Sequence, residues 1–395
     1  MKKSLLFIIP SLAVGGAERS LVTLLSLLDY DEYNVDLMLF RRDGLFLKQV
    51  PSQVNIIDAG KDYSIFDGDF KRCISYCIKH TKLNLAISRV SYLLALKKSE
   101  SKRKCALVWK YLSCSLPQLK TEYDVSIGYL EGNSIYYCID KTHAKKKIGY
   151  IHSDYKKLEK NTEFDRDYFN ILDFVVTVSL VCEESIIKEI PSLQGKTVVI
   201  ENIVSNTAIK RLAISSPVFD CAPDCIKLLT VGRISKEKGI DLALSACEIL
   251  VREGYHICWY VIGSGEQESN LEKMIKVKGL EKHFVLTGQK ENPYQYMGQC
   301  DIYVQPSRYE GKSIAIDEIK VFEKPIVATN FTTVRDQIED GITGLIAEID
   351  AASIMDKIKQ LIDSPEMRRT LSNHLKERAA GNECELNKFN DLINS

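Results

Sequence analysis

The sequence predicts an α/β protein of two doubly wound domains, and three observations carry that prediction. Short β-branched runs alternate with longer helical patterns in both halves, as parallel sheets with crossover helices require. The 395 residues exceed the roughly 250–300 at which one hydrophobic core stops growing. Residues 202–225, which include Pro217 and Pro223, lack sustained periodicity and separate two sets of strand-like runs. With 45% apolar and 27% charged residues and no low-complexity tract, a disordered chain, a collagen-like chain and a disulfide miniprotein are excluded.

The first set of strands is expected at residues 4–9, 34–40, 54–58, 124–128, 147–151, 174–178 and 197–201. The second is expected at 226–231, 257–262, 284–287, 302–305, 326–328 and 344–346. The opening MKKSLLFIIPSLAVGGAE imitates a secretory signal, but Pro10 and Ser11 cut its apolar run short of the 7–15 residues of a signal core. Leu21, Leu24, Leu25 and Leu28 then recur at helical spacing, so strand, glycine turn and helix is the expected reading. The predicted division is 1–202, a linker at 203–225, 226–380, and a tail at 381–395 folding back on the first domain. A ligand cleft is expected where the carboxyl ends of the two sets of strands face each other.

Residues 60–122 break the strand–helix alternation. They read as two or three helices, with Ile74, Cys77 and Ile78 on one apolar face, then Val90, Leu93, Leu94 and Leu96. The segment also explains a deceptive balance of 53 Lys+Arg against 53 Asp+Glu. Residues 1–200 are net +5 and the remainder net −5, while 71–120 hold 12 Lys+Arg and one acid, Glu100. The zero is a cancellation that hides a basic patch.

Twelve cysteines are scattered from Cys73 to Cys384 without a Cys-x-x-Cys pair. The tightest pairs, Cys73/Cys77 and Cys221/Cys225, have no partner pair at zinc-finger spacing. Reduced, mostly buried thiols of a cytoplasmic protein are the expectation, with no run of the ~20 apolar residues that span a membrane.

The chemistry concentrates in PSRYEGKSIAIDEIK, residues 306–320. Glu310 lies on a loop after a strand, and Glu318, eight positions on, lies in the following helix, whose N-terminal turn suits a phosphate. In VGRISKEKGID, Arg233 and Lys238 sit at a helix start, where cations oppose the helix dipole by a few tenths of a kcal/mol or more. An anion nearby is the economical explanation. Gly15 and Gly16 of PSLAVGGAER permit close backbone approach, His152 of YIHSDY stands at a strand end, and Asn202 follows the last strand of the first domain. VIGSGEQESNLE supplies Gly263, but Glu268 stands where a dinucleotide fingerprint has its third glycine.

In this order the motifs resemble the retaining glycosyltransferases of the large family-four type (glycosyl transferases group 1), with the GT-B fold of two Rossmann-like domains facing across a cleft. The resemblance runs from about residue 5 to 350. It implies an acceptor-binding first domain and a second domain that binds a nucleotide diphosphate sugar, a UDP-sugar by preference. Glu310 would hold the donor sugar, Glu318 the ribose, and Arg233 and Lys238 the diphosphate. His152 would line the sugar pocket, and Gly16, Asn202, Gly263, Gly311, Lys312, Ser313 and Ile314 would line the rest of the donor site. Lys312 departs from the apolar residue many members have there. No metal or other cofactor is expected; the nearest Asp-x-Asp, Asp67-Gly68-Asp69, lies in the irregular helical segment.

The expected function is sugar transfer to a glycan acceptor, lipid-linked, in cell-surface polysaccharide synthesis. The protein would sit in the cytoplasm, held peripherally at the inner membrane face through residues 71–120. A nucleotide-sugar epimerase and a non-catalytic partner subunit on the same fold are the alternatives. The basic segment carries no nucleic-acid motif, and a nucleic-acid partner is not expected.

Overall fold

The computed structural model describes the chain except residues 1, 14, 99–101, 159, 160, 215, 216, 223, 379–381 and 383, and except the side chains of Lys157, Thr207 and Ala208. Pro223 of the expected linker, Glu100 of the basic segment and the first residue of the expected tail therefore lie outside the described residues. Two compact units emerge: Met1–Ala13 with Ala17–Glu201 and Leu386–Ser395, and Val14–Gly16 with Asn202–Glu385.

The first unit holds a seven-stranded parallel sheet, order β3-β2-β1-β4-β5-β6-β7. Its strands are β1 (Lys3–Ile9), β2 (Tyr33–Leu39), β3 (Asn55–Asp58), β4 (Glu122–Gly128), β5 (His143–Ile151), β6 (Phe174–Thr177) and β7 (Thr197–Val199). Its helices are α1 (Gly16–Leu27), α2 (Gly60–Asp67), α3 (Phe70–Lys79), α4 (Leu83–Leu96), α5 (Lys102–Ser113), α6 (Asn133–Asp140), α7 (Thr162–Phe169) and α8 (Leu180–Glu189). The central strand shows why the runs are continuously apolar: Leu5 to Ile9 are all fully buried, because helices cover both faces.

The second unit repeats the plan with six parallel strands, order β10-β9-β8-β11-β12-β13. These are β8 (Ile226–Val231), β9 (Ile257–Ile262), β10 (Phe284–Leu286), β11 (Ile302–Gln305), β12 (Ile326–Thr329) and β13 (Leu345–Ala347). Around them lie α9 (Asn206–Leu212), α10 (Ile240–Arg252), α11 (Glu268–Val277), α12 (Tyr294–Gln299), α13 (Ile314–Lys320), α14 (Ala351–Asp363) and α15 (Pro365–Arg378). Trp259 of β9 is fully buried and donates Nε1–H to Thr230 Oγ1 at 3.0 Å, so its one polar group is satisfied inside the core.

Three expectations need correction. The linker is not structureless: α9 occupies part of it, and buried Ile209 packs there with Val204, Ile314 and Val321. Seven residues are too few for periodicity to announce a helix. Among its described residues the insertion has four helices rather than two or three. Finally, Ile74, Cys77 and Ile78 do not share a core face, since Cys73 and Cys77 are buried while Ile78 is 74% exposed.

Helix α4 is turned inside out. Leu83, Ile87, Val90 and Leu94, at steps of four, three and four along one face, are 70%, 55%, 41% and 58% exposed. The buried face carries Leu85, Ser88, Arg89 and Ala95. Arg89 donates Nη2–H to the Gly68 carbonyl at 2.9 Å, and its guanidinium lies 5.3 Å from the Phe66 ring centroid, so the buried charge is held by a carbonyl and an aromatic face. The insertion is pinned to α6 by Trp109, which donates to Asp140 Oδ2 at 2.6 Å.

Helix α16 (Glu385–Asn394) is mostly part of the first unit. Fully buried Phe389 stacks on Phe7 of β1 with ring centroids 6.1 Å apart. Lys3 and Lys146 donate to the Ile393 and Leu392 carbonyls at 2.7 and 2.9 Å, where a helix end leaves carbonyls unsatisfied. Among the described residues no helix is long and apolar enough to cross a membrane.

Candidate active site

In the second sheet the strand order reverses between β8 and β11, and doubly wound sheets bind ligands outside the carboxyl ends at such a point. Two loops leave there: residues 232–239, between β8 and α10, and residues 306–313, between β11 and α13. They are sewn together. Arg308 donates its backbone N–H to the Glu237 carbonyl at 2.7 Å and its guanidinium to the Lys236 carbonyl at 2.7 Å. The same guanidinium forks onto Asp241 at 2.8 and 2.7 Å. Burial pushes the Asp241 carboxyl up, but the Arg308 pairing together with backbone N–H groups outweighs it, and the net direction is down. Gly239, with φ +65°, lets the first loop close on the second: a Cβ there would stand 2.0 Å from the Pro306 carbonyl oxygen.

The join brings Lys238 and Glu310 together. Lys238 Nζ donates to both Glu310 oxygens at 2.7 Å, and the Glu310 side chain is 8% exposed. Ser307 Oγ–H and Gln305 Nε2–H also donate to Glu310 Oε1, at 2.7 and 3.1 Å. Gln305 in turn accepts from Tyr303 O–H at 2.6 Å, and Thr333 Oγ1–H ties the Glu310 carbonyl at 3.1 Å. A buried carboxylate held by a cation and two neutral donors is fixed in place, not a mobile surface acid. Burial drives the Tyr303 hydroxyl well above its usual range, and the charges of Glu318 and Glu310 add to the rise.

Glu318 is 1% exposed and accepts from Tyr294 O–H at 2.8 Å. Its helix is fixed at the start by Gln337, which accepts from Ser313 N–H at 2.9 Å and donates to the Ser313 carbonyl at 2.8 Å and to Asp317 Oδ1 at 2.8 Å. Lys312 does not project: its side chain is 6% exposed, with the ammonium 3.7 Å from Asp317. Gly311 and Ser313 are buried beside it. Ile314 packs its side chain with Val204, Ile209 and Val321. Arg233 stands apart from the Lys238–Glu310 pair, exposed, with Glu237 at 3.5 Å. Gly263 is explained by packing, since a Cβ there would meet the Gly232 carbonyl oxygen at 1.8 Å.

The other expected residues are held separately. Asn202 is buried, and its carbonyl accepts from Asn382 Nδ2–H at 2.9 Å. Gly16 is exposed at the opening of α1. His152 follows β5, its ring 5.1 Å from Tyr129 and 5.7 Å from Tyr150, and its backbone N–H donates to Glu131 Oε2 at 3.1 Å. Both ring nitrogens are buried without a hydrogen-bond partner, and burial lowers its pKa, so the imidazole is neutral at neutral pH.

Sequence reasoning missed Tyr303, Gln305, Ser307, Arg308, Tyr294, Thr333 and Gln337. For Gln305 a signal existed: a polar residue ending the apolar run IYVQ, on the same strand face as Tyr303. The others become visible only when distant loops meet.

Residues 221–378 match the family described as Glycosyl transferases group 1. The alpha-D-kanosaminyltransferase of Streptomyces kanamyceticus is 31% identical over 150 residues, 37% of this chain and 39% of that protein. The capsular polysaccharide biosynthesis glycosyltransferase CapM of Staphylococcus aureus is 30% identical over 165 residues, 41% of this chain and 42% of that one. The matched stretch thus spans about two fifths of those relatives. Among solved structures, Anabaena HepE in complex with UDP and glucose aligns with a TM-score of 0.70 at 16% identity, covering 99% of each chain. Staphylococcus aureus TarM, in complex with fondaparinux, alpha-GlcNAc-glycerol and UDP, aligns with a TM-score of 0.67 at 15% identity over 100% of each. The fold is GT-B.

Proposed function

We propose that this chain, whose residues 221–378 form a glycosyl transferases group 1 module, moves a sugar from a nucleotide diphosphate sugar to a glycan acceptor in polysaccharide synthesis. The observation that carries the reading is the Lys238–Glu310 contact, which unites the two motif loops at the point where the second sheet reverses order. A UDP-sugar is the favoured donor; HepE and TarM, with their bound UDP, support that choice. Glu310 takes the donor sugar's hydroxyls and Glu318 the ribose. Lys238 has three N–H donors, two of them on Glu310, and the third suits a phosphate oxygen.

Arg233 supplies the second cation from its exposed position, and fixed cations stabilise charge growing on the departing diphosphate. Turnover is then the same with and without added Mg²⁺ or Mn²⁺. The neutral His152, with unpartnered ring nitrogens, suits a sugar hydroxyl, and the N-terminus of α1 at Gly16 suits phosphate. Transfer proceeds with retention, which the anomeric configuration of the product tests.

A thermal-shift panel of nucleotide diphosphates and their sugars tests the donor. One base is expected to stabilise the protein, and no shift with any of them sinks the reading. Glu318→Ala is expected to weaken that ligand roughly 10–100-fold, because a hydrogen bond to a charged group contributes about 1.5–3 kcal/mol. Arg233→Ala lowers turnover instead. Donor consumption without acceptor would favour the epimerase.

The acceptor is read as lipid-linked, reached by docking of residues 71–120 on an anionic membrane. The outward apolar stripe of α4 supports this, and the segment also exposes Lys71, Lys79, Lys97 and Lys98. Each lysine near an anionic leaflet contributes about 1 kcal/mol, and a buried Leu or Ile about 1.5–3 kcal/mol. Two such cationic faces would repel, which argues against a second copy as the occupant. The chain should sediment with anionic vesicles and not with neutral ones. An Ile87→Asp/Leu94→Asp variant should lose at least about tenfold in vesicle affinity, as the stripe's apolar burial demands. Equal binding to both vesicle types overturns the docking reading.

A further inference from the structure

Cys221, Cys225 and Cys258 meet at one point, the first two from the segment before β8 and the third from β9. Cys225 immediately precedes β8, and Cys258 is the second residue of β9, in register with Lys227 of β8. A turn closed by Cys225 N–H on the Ala222 carbonyl at 3.0 Å brings Cys221 back to the same place. Cys258 Sγ–H donates to the Lys282 carbonyl at 3.4 Å, and groups other than the thiols also hold the approach. Tyr260 O–H donates to the Asp220 carbonyl at 2.8 Å, and Phe219 meets the Tyr260 ring edge-on at 4.8 Å. The three sulfur atoms all lie within 4.8 Å of one another, with Cys225 and Cys258 buried and Cys221 half-buried.

We propose that these three cysteines bind one thiophilic divalent cation, zinc by preference. Sulfurs bonded to zinc at about 2.3 Å in a tetrahedron stand about 3.8 Å apart, so the cluster needs only a small contraction to close on the ion. Soft thiolates select zinc-like ions over magnesium or calcium. The step balances as three thiols and one M²⁺ giving a three-thiolate complex of net charge −1 and three released protons. Cys221, the half-buried member, leaves a side open for water as fourth ligand. Asp224, beside Cys225 and 3.8 Å from His256, is the nearest non-thiol alternative in sequence.

Burial alone accounts for a single cysteine such as Cys138 or Cys300, but not for a pair before β8 meeting a third on β9. Burial also pushes the Cys258 thiol up to about 12 and raises the other two, which keeps the metal-free cluster protonated and slow to oxidise. Bound metal would fasten the segment entering the second unit to β9, away from the donor loops at the opposite ends of the strands.

The test uses the full chain. After expression with zinc and gel filtration, elemental analysis is expected to find one zinc per chain. Cobalt added to the metal-free protein should give a thiolate-to-cobalt charge-transfer band in the near ultraviolet. Cys225→Ser and Cys258→Ser should each lose at least about tenfold in cobalt affinity, while Cys114→Ser, an exposed cysteine elsewhere, keeps it. Should either variant fail to fold, protection of three thiols from an aromatic disulfide reagent by zinc in the unmutated chain gives the same answer. A folded chain without zinc and without the charge-transfer band overturns the proposal, as does a disulfide among the three in the protein purified under reducing conditions.

Discussion

Lys238→Ala is expected to lower kcat/KM by about 10²–10³, because one preorganised donor to developing charge contributes about 2.7–4 kcal/mol. The substitution also leaves Glu310 as a buried carboxylate whose cation is gone, with only Ser307, Gln305 and the loop to hold it. Breaking a buried pair from one side costs about 3–5 kcal/mol, and the 20% exposure of the Lys238 side chain puts this case near the lower end. Activity and stability would therefore fall together, and a second variant separates them. In Lys238→Met/Glu310→Gln both charges are gone and the glutamine can still accept from Ser307. Its melting temperature should return toward that of the parent while turnover stays low. A double variant that turns over sugar at the parental rate would reduce Lys238 to a structural brace.

Gly239→Ala should damage stability and turnover together. The left-handed backbone alone costs an L-residue about 1–2 kcal/mol. The new Cβ would also stand 2.0 Å from the Pro306 oxygen, backbone that cannot rotate away. One loop must lift from the other, taking Lys238 off Glu310. A total of about 3 kcal/mol or more corresponds to a fall of roughly 6–12 °C for a unit of this size. Gly254 is the matched control, with φ +86° and nothing within 4 Å of its would-be Cβ. Its alanine variant should lose only the conformational part, roughly 2–8 °C, and keep full turnover. Equal losses at the two positions would mean that the contact between the loops is not what Gly239 protects.

Much of this architecture is legible in the amino-acid order, for a physical reason. Strands buried on both faces must be apolar throughout, so β8, β9 and β11 could be delimited to the residue, and Glu310 and Glu318 could be set on their loop and helix. Arg233 and Lys238, expected at a helix start, lie instead in the loop before α10. Partnership was not legible. That Arg308 would fork onto Asp241, or that Gln305 would pass a hydrogen bond from Tyr303 to Glu310, depends on which loops adjoin at the turn of the sheet. The orientation of α4 was equally hidden, because a periodic apolar face names a surface without saying what covers it. Lys312 shows the same limit: its charge was readable, and its burial against Asp317 was not.

The stacking of Phe389 on Phe7 has a consequence for the order of events during synthesis. Helix α16 is translated after the whole second unit, Asn202–Glu385, has left the ribosome. At 5–20 residues per second that unit takes roughly 10–40 s to make. For that interval the central strand of the first sheet waits with its aromatic face uncovered, and the second unit can finish folding before the first. The nascent first unit is thus a natural client for a chaperone, and truncation before Phe389 should send it into aggregates rather than into a smaller soluble domain.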